Sequence, residues 1–243
     1  MAKKKDNQSV ALPNSKKPVT DDELDKLVKW VNESDDMTLE TRNLAEKSRN
    51  YYDSIQWTDA EIEKLKKQKQ APTVINRIKP KIDMLMGMER ANRTTVKAMP
   101  RTPKETGGAQ AATEGIRFVL QDNNFNRTRS DVWENLTIEG TGALEVNVKP
   151  SKSENGFKVT IKHIMWDRLI YDPHSRRKNF SDARYLGQVI WMVYDEAANL
   201  YPDGIDVLDS MQTGSQTYDD KPRWMDNTRR RVKIVEMDYK KDD

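Results

Sequence analysis

The chain has 243 residues, 35% hydrophobic and 33% charged, with Lys+Arg at 42 against Asp+Glu at 39 and a formal net charge of +3. The apolar share falls below the roughly 45–50% usual for soluble globular domains, which favours an elongated or subdivided protein whose buried surface neighbouring copies complete. So small a charge excess does not mark a dedicated nucleic-acid binder, and the absence of cysteine excludes disulfides, zinc ribbons and thiol chemistry.

Residues 1–20 mix Lys, Ser, Asn and Pro, predicting a disordered, mildly basic arm without the apolar core of a secretion signal. No apolar run is long enough for a transmembrane helix. From Thr20, "TDDELDKLVKWV" offers an N-cap, early acids, and Leu24, Leu27, Val28 and Val31 at helical spacing. A second helix follows in "TLETRNLAEKSRNYYD", with Thr38 and Thr41 as caps. In "WTDAEIEKLKKQ", Thr58 and Glu61 have the spacing of a capping box. Between Ile75 and Asn92, Ile75, Ile78, Ile82, Leu85, Met86 and Glu89 recur every three or four residues, and Pro80 starts or kinks that helix. Its Met-rich face is expected to be packing surface, with a partner groove as the alternative.

"TTVKAMPRTP" predicts a short strand closed by Pro100. A long helical tract from about Pro103 breaks at Asn123 and Asn124, and its second half presents Val132, Trp133, Leu136 and Ile138 before Gly140 and Gly142. The apolar period then changes from 3.6 to 2. Leu144, Val146 and Val148, a polar turn, and Phe157, Val159 and Ile161 predict a β-hairpin. Strands follow at "RLIYD" and "LGQVIWMV", a short helix at "DEAANLY", a polar loop from Asp203 to about Asn227, and a last strand at "RRVKIVEMDYK". The fold class is α+β, with a helical region at 21–140, a mainly antiparallel β-rich region at 141–243, and no internal repeat.

Catalytic motifs are missing. Gly107-Gly108 and Gly140-Thr-Gly142 have no Walker lysine and follow no strand, and no G-x-S-x-G elbow occurs. His163 lies in an alternating strand and is expected at the sheet surface or edge. Asp167, Asp172, His174 and Asp182 are the group that could suggest a metal-dependent nuclease. Arg168, Arg176, Arg177, Lys178 and Arg184 supply enough cation to pair those acids, so no metal or cofactor is expected. Instead "WDRLIYDPHSRRKNFSDARYLG" reads as two capped bends: Asp172 caps the first, Pro173 fixes φ, Ser175 bonds back, and Ser181 or Asp182 caps the second. A stiff, ion-paired connection of this kind suits a subunit contact, with Trp166, Asp167, Arg168, Asp172, Pro173, Arg176, Asp182, Arg184 and Tyr185 as its candidate residues.

"NRIKPKIDMLMGMERANRTTVKAMPR", "EGTGALEVNV", "WDRLIYDPHSRRKNFSDARYLGQVIWM" and "DEAANLYPD" together closely resemble portal proteins of tailed bacteriophages, in particular the large type of short-tailed phages. The resemblance runs from about Tyr51 to Pro202 and is most specific from Trp166 to Met192. It implies a non-enzymatic ring, usually of twelve subunits, at one vertex of the virion capsid and assembled in the host cytoplasm. The implied partners are the major capsid protein, scaffolding protein, terminase, tail adaptor proteins and double-stranded DNA passing through the bore, with no membrane. Portals of this type continue well beyond the point matched by "VKIVEMDYKKDD", so the chain corresponds to an N-terminal wing portion, and the stem would follow it. A smaller head-tail adaptor is the alternative.

Overall fold

The computed structural model describes residues 21–151, 156–204, 224–226 and 228–240. Helices fill the first half and antiparallel strands the second, giving the expected α+β order. The arm at 1–20 lies outside the described residues, as does most of the loop expected from Asp203 onward.

α1 (Asp21–Met37) and α2 (Leu39–Tyr52) are separated by Thr38 alone. Thr38 keeps helical φ/ψ and makes no cap; its hydroxyl turns back to donate to the Ser34 carbonyl at 2.6 Å. Of the apolar residues expected to face inward from α1, Val31 is buried and Leu24 is exposed. α3 (Asp59–Lys67) has the complete capping box: Thr58 accepts from the Glu61 N–H, and Glu61 accepts from the Thr58 N–H at 2.9 Å.

α4 (Lys79–Ala91) starts at Pro80, which occupies the first turn, where a missing N–H costs nothing. The Asn76 side chain completes that start by accepting from the Ile78 and Lys79 amides at 2.9 and 3.0 Å. Its amide also donates to the carbonyls of Tyr51 and Tyr52, fastening α4 to the end of α2. The Met-rich face packs only in part, since Met84 and Met88 are exposed and α4 has no buried residue.

The strand expected in "TTVKAMPRTP" does not form. Among the described residues no strand lies alongside to complete a ladder; the Ala98 amide donates instead to the Thr113 hydroxyl, and Val96 and Met99 stay exposed. α5 (Thr106–Asp122), preceded by a 3₁₀ turn at Pro103–Glu105, and α6 (Phe125–Ile138) break at Asn123–Asn124, where Asn124 takes the left-handed conformation. Gly140 also has positive φ, and a Cβ at Gly142 would lie 2.6 Å from the Val132 carbonyl, so both glycines let the chain turn tightly off α6.

β1 (Ala143–Ser151) and β2 (Gly156–Ile164) form a nine-pair antiparallel hairpin, which is a sheet of its own. Asn123 fastens it to the helices by donating to the Val159 carbonyl and accepting from the Ile161 amide. His163 lies in a two-stranded sheet, where each strand is an edge, and its Nε2 sits 2.6 Å from Asn135 Oδ1, facing α6.

The second sheet has the order β3-β4-β6-β5, from β3 (Leu169–Tyr171), β4 (Tyr185–Val193), β5 (Met225–Asp226) and β6 (Arg231–Tyr239), all antiparallel. α7 (Tyr194–Leu200) follows β4. β5 falls inside the stretch expected to be loop. Buried Val31, Ile170, Tyr185 and Val189 form the core, with Trp30, Trp191, Trp224, Val235 and Met237 packed around them. No helix among the described residues is long and apolar enough to cross a membrane.

Candidate functional site

Between β3 and β4 the chain makes three turns in a row rather than two. Asp172, Pro173, His174 and Ser175 form the first, closed by the Ser175 amide donating to the Asp172 carbonyl at 3.1 Å, with proline at the second position, where its fixed φ belongs. Phe180 donates to Arg177, and Ala183 to Phe180, closing the next two. Phe180 sits at φ 52, unfavourable for a bulky residue, and its ring packs 5.2 Å from that of Tyr171.

Two carboxylates organise these turns. Asp172, only 5% exposed, accepts from the His174 amide with one oxygen and from the Arg184 amide with the other, both at 2.9 Å. Asp182 accepts from the Arg176 and Arg177 amides at 2.9 and 3.3 Å and from the Ser175 hydroxyl at 2.7 Å. The Arg176 amide above all, then the Ser175 hydroxyl, hold the Asp182 carboxyl down at about 2. The expected pairing with guanidinium groups is therefore not what fixes the bend. Among the described residues no ion pair reaches Asp167, Asp172 or Asp182; backbone N–H groups, which cannot swing away, hold the two organising carboxylates.

α1 and α2 grip the bend from the other side. Trp30 stacks on Tyr185 with ring centroids 5.2 Å apart, and the Tyr185 hydroxyl donates to the Trp30 carbonyl at 3.0 Å. Burial first, and then the carboxylates of Glu33, Asp172 and Asp35, push the Tyr185 phenol up. The Ser34 hydroxyl donates to the Tyr171 carbonyl, and Arg42 donates to the carbonyls of Asp167 and Leu169. His174 Nε2 lies 2.9 Å from Glu33 Oε1.

The structure thus brings Asp172 and Tyr185 together with α1, while Pro173 stays within the first turn. It leaves Arg168, Arg176, Asp182 and Arg184 exposed at the rim, with Trp166 and Asp167 on the 3₁₀ turn before β3. Trp30, Glu33, Ser34 and Arg42 were missed by sequence reasoning. Their signal was the i, i+4 spacing of Trp30 and Ser34 beside buried Val31, but what they touch lies more than a hundred residues away. Among the described residues no group of three or more His, Asp or Glu side chains gathers as a metal site would require.

Two further polar junctions stiffen the helical half. Arg49 reaches Glu139 at 2.5 Å and Glu134 at 2.8 Å; the Glu139 side chain is fully buried and also accepts from Asn135, which meets His163. Glu89 pairs with Arg93 and Arg129 and accepts from Ser130, and Arg93, with Ser130 and Arg129 assisting, holds its carboxyl below the usual range.

A family model described as phage P22-like portal protein matches residues 28–243. A portal protein of Helicobacter pylori bacteriophage KHP30 is 21% identical over 158 residues, covering 65% of this chain and 26% of that protein. The match therefore spans about a quarter of the length of that relative.

Proposed function

The chain belongs to the phage P22-like portal protein family, and from that premise we propose that it is the wing portion of a ring at one capsid vertex. The match over 28–243 carries this reading. The ring is the conduit for genome packaging and ejection, with no catalytic step of its own. Its partners are further copies of itself, the major capsid and scaffolding proteins, terminase, the tail adaptor proteins and the double-stranded DNA in its bore. The bend at 166–187 is a rigid joint at a subunit contact. Its two organising carboxylates are held by main-chain amides, and the exposed Arg168, Arg176 and Arg184 of its rim set register against a neighbour.

A heterologous contact with the right rotation must close on itself. Light scattering on the full-length protein should therefore show one closed species near twelve subunits, as the family resemblance implies. A protein that stays monomeric at every concentration and salt would refute the reading.

A further inference from the structure

The near-balanced net charge conceals two opposed blocks. Residues 64–104 contain twelve Lys and Arg against two acids, Asp83 and Glu89, a net +10. Residues 21–63 contain thirteen Asp and Glu against five Lys and Arg, a net −8. The rest of the chain is almost neutral, at +1.

Neither block neutralises the other within the chain. Of the twelve cations, Arg93 alone has a carboxylate within ion-pair distance among the described residues, and that is Glu89, four residues before it in the same block. Each block also leaves seven large hydrophobic side chains exposed. The basic block shows Ile75 at 79% and Met99 at 78%, with Met84 and Met88 between them; the acidic block shows Leu39, Leu44 and Ile55.

A phosphate backbone would meet the cations of 64–104 but would leave the Ile and Met side chains wet. A protein surface that is acidic and apolar covers both, and this chain carries one. We propose that the basic apolar surface of 64–104 docks on the acidic apolar surface of 21–63 of the next copy, making the heterologous contact of the ring. The pairing rests on the ring reading and specifies its faces. Opposite charge at such a contact speeds encounter and sets register, while the apolar side chains supply buried area. Screening shortens the reach of the charges to about 10 Å at 0.1 M salt, so assembly weakens as salt rises.

The test uses the full-length protein and exposed residues that make no ion pair. One variant carries Lys67→Glu, Lys81→Glu and Arg90→Glu; a second carries Asp36→Lys, Glu46→Lys and Glu63→Lys. Sedimentation should show each variant, folded by circular dichroism, assembling at least about tenfold more weakly than the parent. Parent protein that never assembles overturns the ring and this pairing together. Variants that assemble alone as well as the parent leave the ring standing and overturn the pairing only. Normal assembly with lost retention of duplex DNA by the first variant assigns the basic surface to phosphate and also overturns the pairing.

Discussion

The four-stranded sheet and one face of α1 build a core inside the chain, whereas α4 and α5 bury almost nothing. Ile170, Tyr185 and Val189 alternate inward along β3 and β4 and meet Val31 and Trp30 from α1. α4 buries no residue, and α5 buries only Thr113. The helices are nonetheless well formed, with a proline start, an asparagine cap and a left-handed stop. Local signals suffice to make a helix, but only tertiary contact gives its apolar face a place. The sheet core is thus complete within one chain, whereas α4, α5 and the outer face of α1 keep apolar side chains for something outside it.

Truncation should separate the two regions most widely. Ile170 is 0% exposed, and Ile170→Ala should cost on the order of 2–5 kcal/mol from lost contacts and the cavity left behind. Met99→Ala, in the exposed segment, should stay within about 0.5 kcal/mol. Urea denaturation of the two variants checks this; equal losses would show that the helical region is as self-contained as the sheet.

The sheet region was largely legible in the sequence because its signals are short-range. A period of two along 144–161 and 185–193 locates the strands, and "YDPHS" carries its own turn chemistry. The partners that fix the bend were not legible, because Trp30 and Tyr185 stack across 155 residues of chain. The segment 94–99 misled for the complementary reason: alternation describes a strand that could pair, and nothing in the described residues pairs with it. The bend's charges misled differently. Asp and Arg close in sequence suggested ion pairs, but main-chain amides two to twelve residues away reach Asp172 and Asp182 at lower entropic cost.

A pH titration sharpens the comparison inside the sheet region. The Asp182 carboxyl is held at about 2, below the value near 3.9 of an unfolded chain. A depressed folded value means that its contribution is fully present above about 4 and is lost as pH falls through about 2. Protection of the Arg176 and Arg177 amides from hydrogen exchange, relative to the unfolded chain at the same pH, should therefore fall between pH 4 and 2, while the amides of β4 facing β6 keep theirs. Asp182→Asn should flatten that profile; an unchanged profile would mean that the carboxylate does not hold the turn.

The smallest effect is expected at Arg184, and it separates backbone from side chain within the bend. Arg184 meets Asp172 only through its amide, at 2.9 Å, and its side chain is exposed. Arg184→Ala retains that amide, so the stability of the chain should change by less than about 0.5 kcal/mol. Asp172→Ala removes the acceptor for two amides at a buried position, at about 1–3 kcal/mol for each donor left unmet. Comparing the two denaturation midpoints tests which chemistry holds the joint. If Arg184→Ala lost as much as Asp172→Ala, a guanidinium pair would be holding it after all. A loss of ring assembly by Arg184→Ala at unchanged stability would instead place that side chain against the neighbouring copy, as its exposure at the rim requires of a subunit contact.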